Sequence, residues 1–339
     1  MDTSAPHCIV EIENRRFDSW RGEDLIAASI ELTTDKTGEG SVEIYDPGFK
    51  IIDKIMTSGA NAPQARFWLG WKKDLGASLF IGKLARVEWS DQITTLRFHD
   101  LSSKMKQKQK TRYHKEKTDI QLLKKLAQDN ELKFLLKGNI TDGQPIESLM
   151  QSGITDWQLA LKTAERAGLR LYVRGDTLFA VEAGTTKNEL SSATLNLAKD
   201  FTLLRGFSLS YKLPENKKGR YKKTEVRART KDGKRLTGTK DIGTTGTENL
   251  IVREDLPKPT VALANRRAGG KSKRQREYAF EHHLRTLPGF EKIIELRNTI
   301  TLGGMGEFFG GDYIVTDIRY EFRPGQLTSE MTVGRDILK

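Results

Sequence analysis
The chain has 339 residues, enough for two or three domains, with 37% hydrophobic and 30% charged residues and a formal net charge of +12. That composition is compatible with a folded soluble protein. No run approaches the roughly 18 apolar residues that span a bilayer, and Met1 to Pro6 lacks a signal pattern, so neither stable membrane association nor a secretory leader is expected.

The single thiol, Cys8, precedes an alternating Ile9, Val10, Glu11, Ile12, which predicts a half-buried strand. One cysteine excludes an internal disulfide, so a reducing compartment is the expected place of folding. Residues 24–33 and 41–45 flank a polar, Gly-containing turn and predict a hairpin. Asp46-Pro47-Gly48 stops the second strand, and Phe49, Ile52, Ile55 and Met56 then predict a short helix with one apolar face. Strands are predicted over 65–71, 79–89 and 93–101, with alternation visible in Phe67, Leu69, Trp71 and in Val87, Trp89. Five or more strands with one short helix predict a small antiparallel barrel or sandwich.

Residues 102–117 read as a polar, basic bridge and place a domain boundary, since strand alternation stops and helical periodicity has not begun. A repeat follows, its copies 37 residues apart. Thr118-Asp119-Ile120-Gln121-Leu122 opens one copy and Thr155-Asp156-Trp157-Gln158-Leu159 the other, with Ala127 over Ala164, Leu132 over Leu169 and Gly138 over Gly175. Each predicts a helix running into a strand, and in each a Thr three residues before a Gln forms a capping box. Gly168 suits the left-handed end of the second helix. Residues 169–173 and 178–182 pair across Arg174-Gly175-Asp176-Thr177, so the Arg-Gly-Asp tripeptide is turn chemistry.

Strands are predicted again over 193–197, 207–211 and 224–230, and the Gly- and Thr-rich stretch 237–248 reads as a mobile loop. After Pro257 and Pro259 a helix is predicted over 271–287, with Tyr278, Phe280, Leu284 and Leu287 among its apolar residues. Strands over 290–296, 313–322 and 327–333 follow, the last two joined by Arg323-Pro324-Gly325-Gln326. The expected fold class is α+β, mostly β. Two small antiparallel β-barrel domains, 1–103 and 191–339, the second with one long helix, bracket an α/β insert, 104–190, that holds the two helix-strand repeats.

The chain offers little chemistry. Its five histidines lack zinc-ligand spacing, and His282 and His283, on the predicted helix, would point about 100° apart and could not share a metal. The glycines at 303, 304, 306, 310 and 311 lack the phosphate-loop ending and precede a strand. No Gly-x-Ser-x-Gly elbow occurs, and no spacing singles out a pair among Asp91, Asp100, Asp156 and Asp317. No catalytic, cofactor-binding or metal-binding residue is therefore expected. The charge is confined to 104–117, 212–240 and 266–276, which together carry 25 basic and 4 acidic residues and leave the remainder net acidic. Acidic protein surfaces, nucleic acid and solvent are all open as partners of these patches. Tyr113 and Tyr221 lie within basic runs as in single-strand binders, so a nucleic-acid-binding protein is the alternative reading.

The run Gln151-Ser152-Gly153-Ile154-Thr155-Asp156-Trp157-Gln158-Leu159-Ala160-Leu161, continuing through Ala164-Glu165-Arg166-Ala167-Gly168-Leu169, carries a resemblance, as does Gly310-Gly311-Asp312-Tyr313-Ile314-Val315-Thr316-Asp317-Ile318. Both segments, with the element order, resemble the phage late control protein D family, the baseplate hub proteins of contractile phage tails, related to the hub part of type VI secretion spike proteins. One departure is that Arg319-Tyr320 stands where the family commonly has a His after the closing strand. The resemblance implies a structural, non-enzymatic homotrimer whose six barrels form a pseudo-sixfold ring. Such a ring joins the hexameric tail tube to the trimeric central spike, here a separate chain, and leaves a channel for DNA or the tape-measure protein. It implies other baseplate proteins as partners and a place in the virion tail baseplate, assembled in the host cytoplasm. Lys217, Lys218, Lys222, Lys223, Arg266 and Arg267 are the residues expected to dock on acidic tube or spike surfaces.

Overall fold
In most described strands of the computed structural model, alternating apolar residues turn to one side. It describes residues 5–183, apart from 22–23, 58–61, 72–74, 76–77, 139, 141–142 and 144. Beyond these it describes 193–196, 204–211, 221–229, 235–241, 248–253, 261–276, 280–286, 294–304 and 310–335. The first hairpin pairs β1 (His7–Ile12) with β2 (Arg15–Asp18), and the second pairs β3 (Leu25–Thr33) with β4 (Glu39–Tyr45). Helix α1 (Lys50–Met56) follows, then β5 (Gln64–Gly70), β6 (Phe80–Ser90) and β7 (Ile93–Asp100). Asp46 starts α1, its carboxylate accepting from the N–H groups of Ile51 at 2.8 Å and Ile52 at 2.9 Å. Ile51, Ile52 and Ile55 are buried. Phe49 and Met56, predicted on the same face, are exposed instead: Phe49 precedes the helix in the left-handed region at φ 60°, and Met56 is its last residue.

The basic bridge is a strand. After a 3-10 turn, Leu101–Lys106, comes β8 (Gln109–Lys117). Asp100 caps the turn, accepting from the Ser102 N–H at 2.9 Å and the Ser102 hydroxyl at 2.5 Å. Then follow α2 (Asp119–Gln128), β9 (Lys133–Lys137), β10 (Ile146–Thr155), α3 (Asp156–Ala167), β11 (Leu169–Arg174) and β12 (Thr177–Glu182). β8 pairs antiparallel with β10. Its inner face is polar, so it shows no hydrophobic alternation to read. Both helices open with complete capping boxes, at Thr118 with Gln121 and at Thr155 with Gln158. β11 and β12 form the predicted hairpin, and β9 adds in parallel to β12.

The remaining elements are β13 (Ala193–Asn196), β14 (Leu204–Tyr211), β15 (Tyr221–Arg229), β16 (Arg235–Asp241), β17 (Glu248–Arg253), α4 (Val261–Arg276), β18 (Phe280–Thr286), β19 (Thr299–Gly303), β20 (Gly311–Arg323) and β21 (Gln326–Arg335). The helix predicted over 271–287 is corrected. Helix α4 ends at Arg276, and Phe280–Thr286 is a strand in which buried Leu284 lies between exposed His283 and Arg285. Phe280 and Leu284 are four residues apart, a spacing that fits either period. His282 and His283 therefore belong to a strand.

The loop predicted over 237–248 is corrected for 237–241, which lie in β16, and for Glu248, which opens β17, while 242–247 fall outside the described residues. Gly238 lets β16 touch α4: a Cβ there would stand 2.0 Å from the Ala264 carbonyl carbon. Of the strand predicted over 290–296, the described residues 294–296 are not strand.

Thirteen strands form one sheet along the path β14-β18-β21-β20-β3-β4-β7-β6-β5-β1-β2, with β19 on β20 and β13 on β19. The two β-rich segments meet in it where β3 pairs with β20, Ile30 opposite Tyr320. A continuous core covers one side, including Ile30, Val42, Phe67, Phe98, Tyr313, Phe322 and Met331. The insert has its own core, built from Leu122, Leu126, Trp157, Ala160, Leu171 and Leu178. β11 lies between the two, giving Leu171 and Val173 to the insert core and Tyr172 to the main one. β15, β16 and β17 form a separate three-stranded sheet.

Candidate assembly surfaces
The structure divides the predicted docking residues. Lys217 and Lys218 lie outside the described residues, Lys222 and the half-buried Lys223 are on β15, and Arg266 is on α4. Arg267 is not a surface cation: it is 3% exposed and pairs with Asp119 at 2.8 Å, tying α4 to the insert. A buried guanidinium with a carboxylate partner serves the fold.

The basic run 104–117 is likewise sorted by the fold. Lys104 pairs with Glu131 at 2.7 Å, Lys110 with Asp156 at 2.5 Å, and Arg112 with both Asp129 at 2.9 Å and Asp156 at 3.0 Å. Lys106 lies over the Trp157 ring. Much of a stretch that reads as a docking patch is thus internal wiring.

The segment 151–157 is the hub of that wiring. Gly153, at φ 59°, forms a bulge that turns Gln151 inward. The Gln151 carbonyl oxygen accepts from Arg112 Nε at 3.0 Å and lies 3.2 Å from His114 Nε2, while its amide donates to Asp156 at 3.0 Å. Asn130 donates to Asp156 as well, at 2.9 Å. Burial pushes the Asp156 carboxyl up, but hydrogen bonds from Lys110, Asn130 and Gln151 with the Arg112 charge outweigh it and hold the group below its usual range. Burial lowers His114, favouring its neutral ring. The arrangement fixes one geometry, in which Lys110, Arg112, Asn130 and Gln151 all donate to the Asp156 carboxylate.

Two surfaces suit contact with other molecules. Phe49 stacks on Trp89 at 4.4 Å, both exposed, and exposed Val87 lies on the same face of β6. The sequence shows the Val87, Trp89 alternation but not that it outruns the core. The other surface is the polar side of the large sheet. Arg285, Glu330, Arg319, Glu31, Glu39, His99 and Lys83 are successive cross-strand partners over β18, β21, β20, β3, β4, β7 and β6. Arg285 and Glu330 pair at 3.1 Å, beside an open hollow of about 640 Å3 lined by His283, Asp317 and Arg319. The signs alternate from Arg285 to Glu31, and Glu31 then stands opposite a second acid, Glu39.

Among the described residues no group of three or more His, Cys, Asp or Glu side chains could hold a metal ion, and no helix is long and apolar enough to cross a membrane.

No protein-family model and no curated protein matches the chain. Solved structures do. A tail protein from Neisseria meningitidis MC58 superposes with a TM-score of 0.70 at 12% identity, over 98% of this chain and 97% of the other. The 43 kDa tail protein of prophage MuSo2 from Shewanella oneidensis gives 0.69 at 11% identity, over 98% of each chain. An E. coli protein described as a type VI secretion component with structural similarity to T4 tail proteins gp27 and gp5 gives 0.57 at 9% identity, over 97% and 77%. The chain thus has, end to end, the fold of phage tail proteins.

Proposed function
We propose that this chain is a structural subunit of a contractile phage-type tail, a baseplate hub. Three copies form a ring in which residues 1–103 and 191–339 of each supply two barrel-like lobes and 104–190 an outlying insert. The pseudo-sixfold ring joins a hexameric tail tube to a trimeric central spike, contacts other baseplate proteins, and leaves a channel for DNA or the tape-measure protein. Its place is the virion tail baseplate, after assembly in the host cytoplasm. The observation that carries this reading is the fold likeness to the two tail proteins over 98% of this chain.

Two features support it. The exposed Phe49–Trp89 stack offers apolar area for a heterologous contact, which closes into a ring when copies repeat it. The mixed-charge sheet face suits a channel wall: with both signs interleaved and much of the charge paired in place, it gives a passing polyanion no continuous cationic track to bind. The basic stretch around Lys217, Lys218, Lys222 and Lys223 docks on acidic tube or spike surfaces.

Mass in solution with negative-stain images tests the reading. A trimeric annulus, formed alone or on adding spike protein, is expected, and a chain that stays monomeric beside tube and spike proteins overturns it. Tube binding that weakens as salt rises, and on charge reversal at those four lysines, checks the docking arm.

A further inference from the structure
We infer that the outer face of the β8/β10 ribbon docks an acidic segment of a partner protein, which seats an apolar side chain on Tyr113 and Met150 and sets a carboxylate beside Lys115. Among the described residues β8 and β10 pair only with each other, so the ribbon has an inner face against the insert and an outer one. Alternation turns Lys110, Arg112 and His114 inward, to Asp156 and Gln151, and leaves Thr111, Tyr113 and Lys115 on the other side. The register sets Met150 opposite Tyr113 and Ser148 opposite Lys115. Tyr113 is 65% exposed, more than any other large apolar or aromatic side chain described, and Met150 is 49% exposed. Directly opposed on one face, the two form a single apolar spot.

Charge sets the chemistry of the partner. Residues 104–117 carry seven cations, and the fold engages four of them. Lys104, Lys110 and Arg112 pair with acids, and Lys106 lies over the Trp157 ring. Lys108, Lys115 and Lys117 form no ion pair among the described residues. Lys115 shares the outer face with Tyr113, so an uncompensated cation stands next to the apolar spot, and a carboxylate from outside complements it. A nucleic-acid strand fits this face less well. It needs cations that track its backbone, and the inward turn of Lys110 and Arg112 leaves the Thr111 end of the face without any.

Tyr113 and Lys115 are two strand residues apart, about 7 Å, which sets the spacing between the partner's apolar group and its carboxylate. Tyr and Met are side chains that interfaces favour, and the thioether adapts to the shape it meets. The apolar pair contributes affinity, while Lys115 at its rim contributes mainly rate and specificity. The inner hydrogen bonds fix the ribbon before a partner arrives, so docking orders little backbone.

The probe is a cyclised β-hairpin peptide bearing Glu-x-Phe-x-Glu on one face, titrated into the full chain labelled at its methionine methyl groups for NMR. A Lys-x-Phe-x-Lys hairpin and an oligo-thymidylate are the comparison probes. The acidic hairpin is expected to shift the Met150 methyl signal and to bind at least about tenfold tighter than the basic one, an order that Lys115→Glu reverses. Tyr113→Ala and Met150→Ala should each weaken it about tenfold and leave the melting temperature unchanged, since both side chains face solvent. Equal affinity for the two hairpins, no saturable binding, a Met150 signal unmoved at saturation, or tighter binding of oligo-thymidylate would overturn the inference. So would a lowered melting temperature in the alanine variants, which would give the pair to the fold, or a changed oligomeric mass, which would give the face to a second copy.

Discussion

In the first helix-strand copy, Asp119 follows the capping Thr118 and takes Arg166 and Arg267, while in the second, Asp156 follows Thr155 and takes Lys110, Arg112, Asn130 and Gln151. The two acids hold equivalent places, each at the start of one helix and bonded to the end of the other: Arg166 belongs to the last turn of α3, and Asn130 lies just beyond α2. Antiparallel packing makes the exchange possible. The copies diverge in what lies outside them. The second is pressed against the large sheet and covered on both faces, whereas the first is covered on one. A duplicated unit can therefore keep its internal bonding while its outer residues follow their surroundings.

Removing the shared acid should break the comparison hardest. Asp156→Ala strands Lys110 and Arg112 beside a buried site and is expected to cost about 3 kcal/mol. Asp119→Ala, which releases Arg166 and buried Arg267, should cost a similar amount and also expose α4 to limited proteolysis. Denaturant midpoints of both variants would test the equivalence, and an untouched midpoint in either would refute it.

Acidity separates the insert from the first β segment almost as strongly. Burial raises Asp100 to about 6 from 3.8, against hydrogen bonds from Ser102 and Gly38. Its folded-state value lies above the unfolded one, so its contribution is present below pH 4 and lost as pH rises through 6, roughly 3 kcal/mol in all. Asp156 is depressed, so its contribution is present above its unfolded value and lost as pH falls through the lower folded one. Stability curves of Asp100→Asn should lose the decline between pH 4 and 7, and those of Asp156→Asn the decline on the acid side.

Caps and helix ends give the smallest effects. Thr118→Ala and Thr155→Ala should each cost about 1 kcal/mol. The α3 end is Gly168 at φ 73°, and its counterpart 37 residues earlier is Glu131 at φ 60°. Gly168→Ala should cost about 1 kcal/mol, and Glu131→Gly, compared with Glu131→Ala so that both lack the Lys104 ion pair, should give the higher melting temperature. Equal melting temperatures for Glu131→Gly and Glu131→Ala would show that the two ends are not equivalent.

Local signals carried most of what could be read. The capping boxes, the hairpin at Gly175 and the strands of the first hundred residues each follow from a few adjacent residues. β8 was hidden because its inner side is occupied by Lys110, Arg112 and His114, which satisfy Asp156 and Gln151 in place of an apolar stripe. β18 was hidden because a four-residue spacing of large side chains serves either period. Arg267 read as part of a surface patch because its partner, Asp119, is 148 residues away. The exposure of Leu135 on β9, against the burial of its counterpart Tyr172 on β11, was not legible, since the two copies read alike locally.

The pairing of β3 with β20 bears on biosynthesis. Residues near position 30 leave the ribosome long before those near position 320, and until then one edge of β3 has no neighbour from its own chain. Such an edge invites crosswise association between nascent copies until β20 covers it. A polypeptide truncated before Gly311 should precipitate, and its recovery as a stable soluble fragment would contradict this order of events.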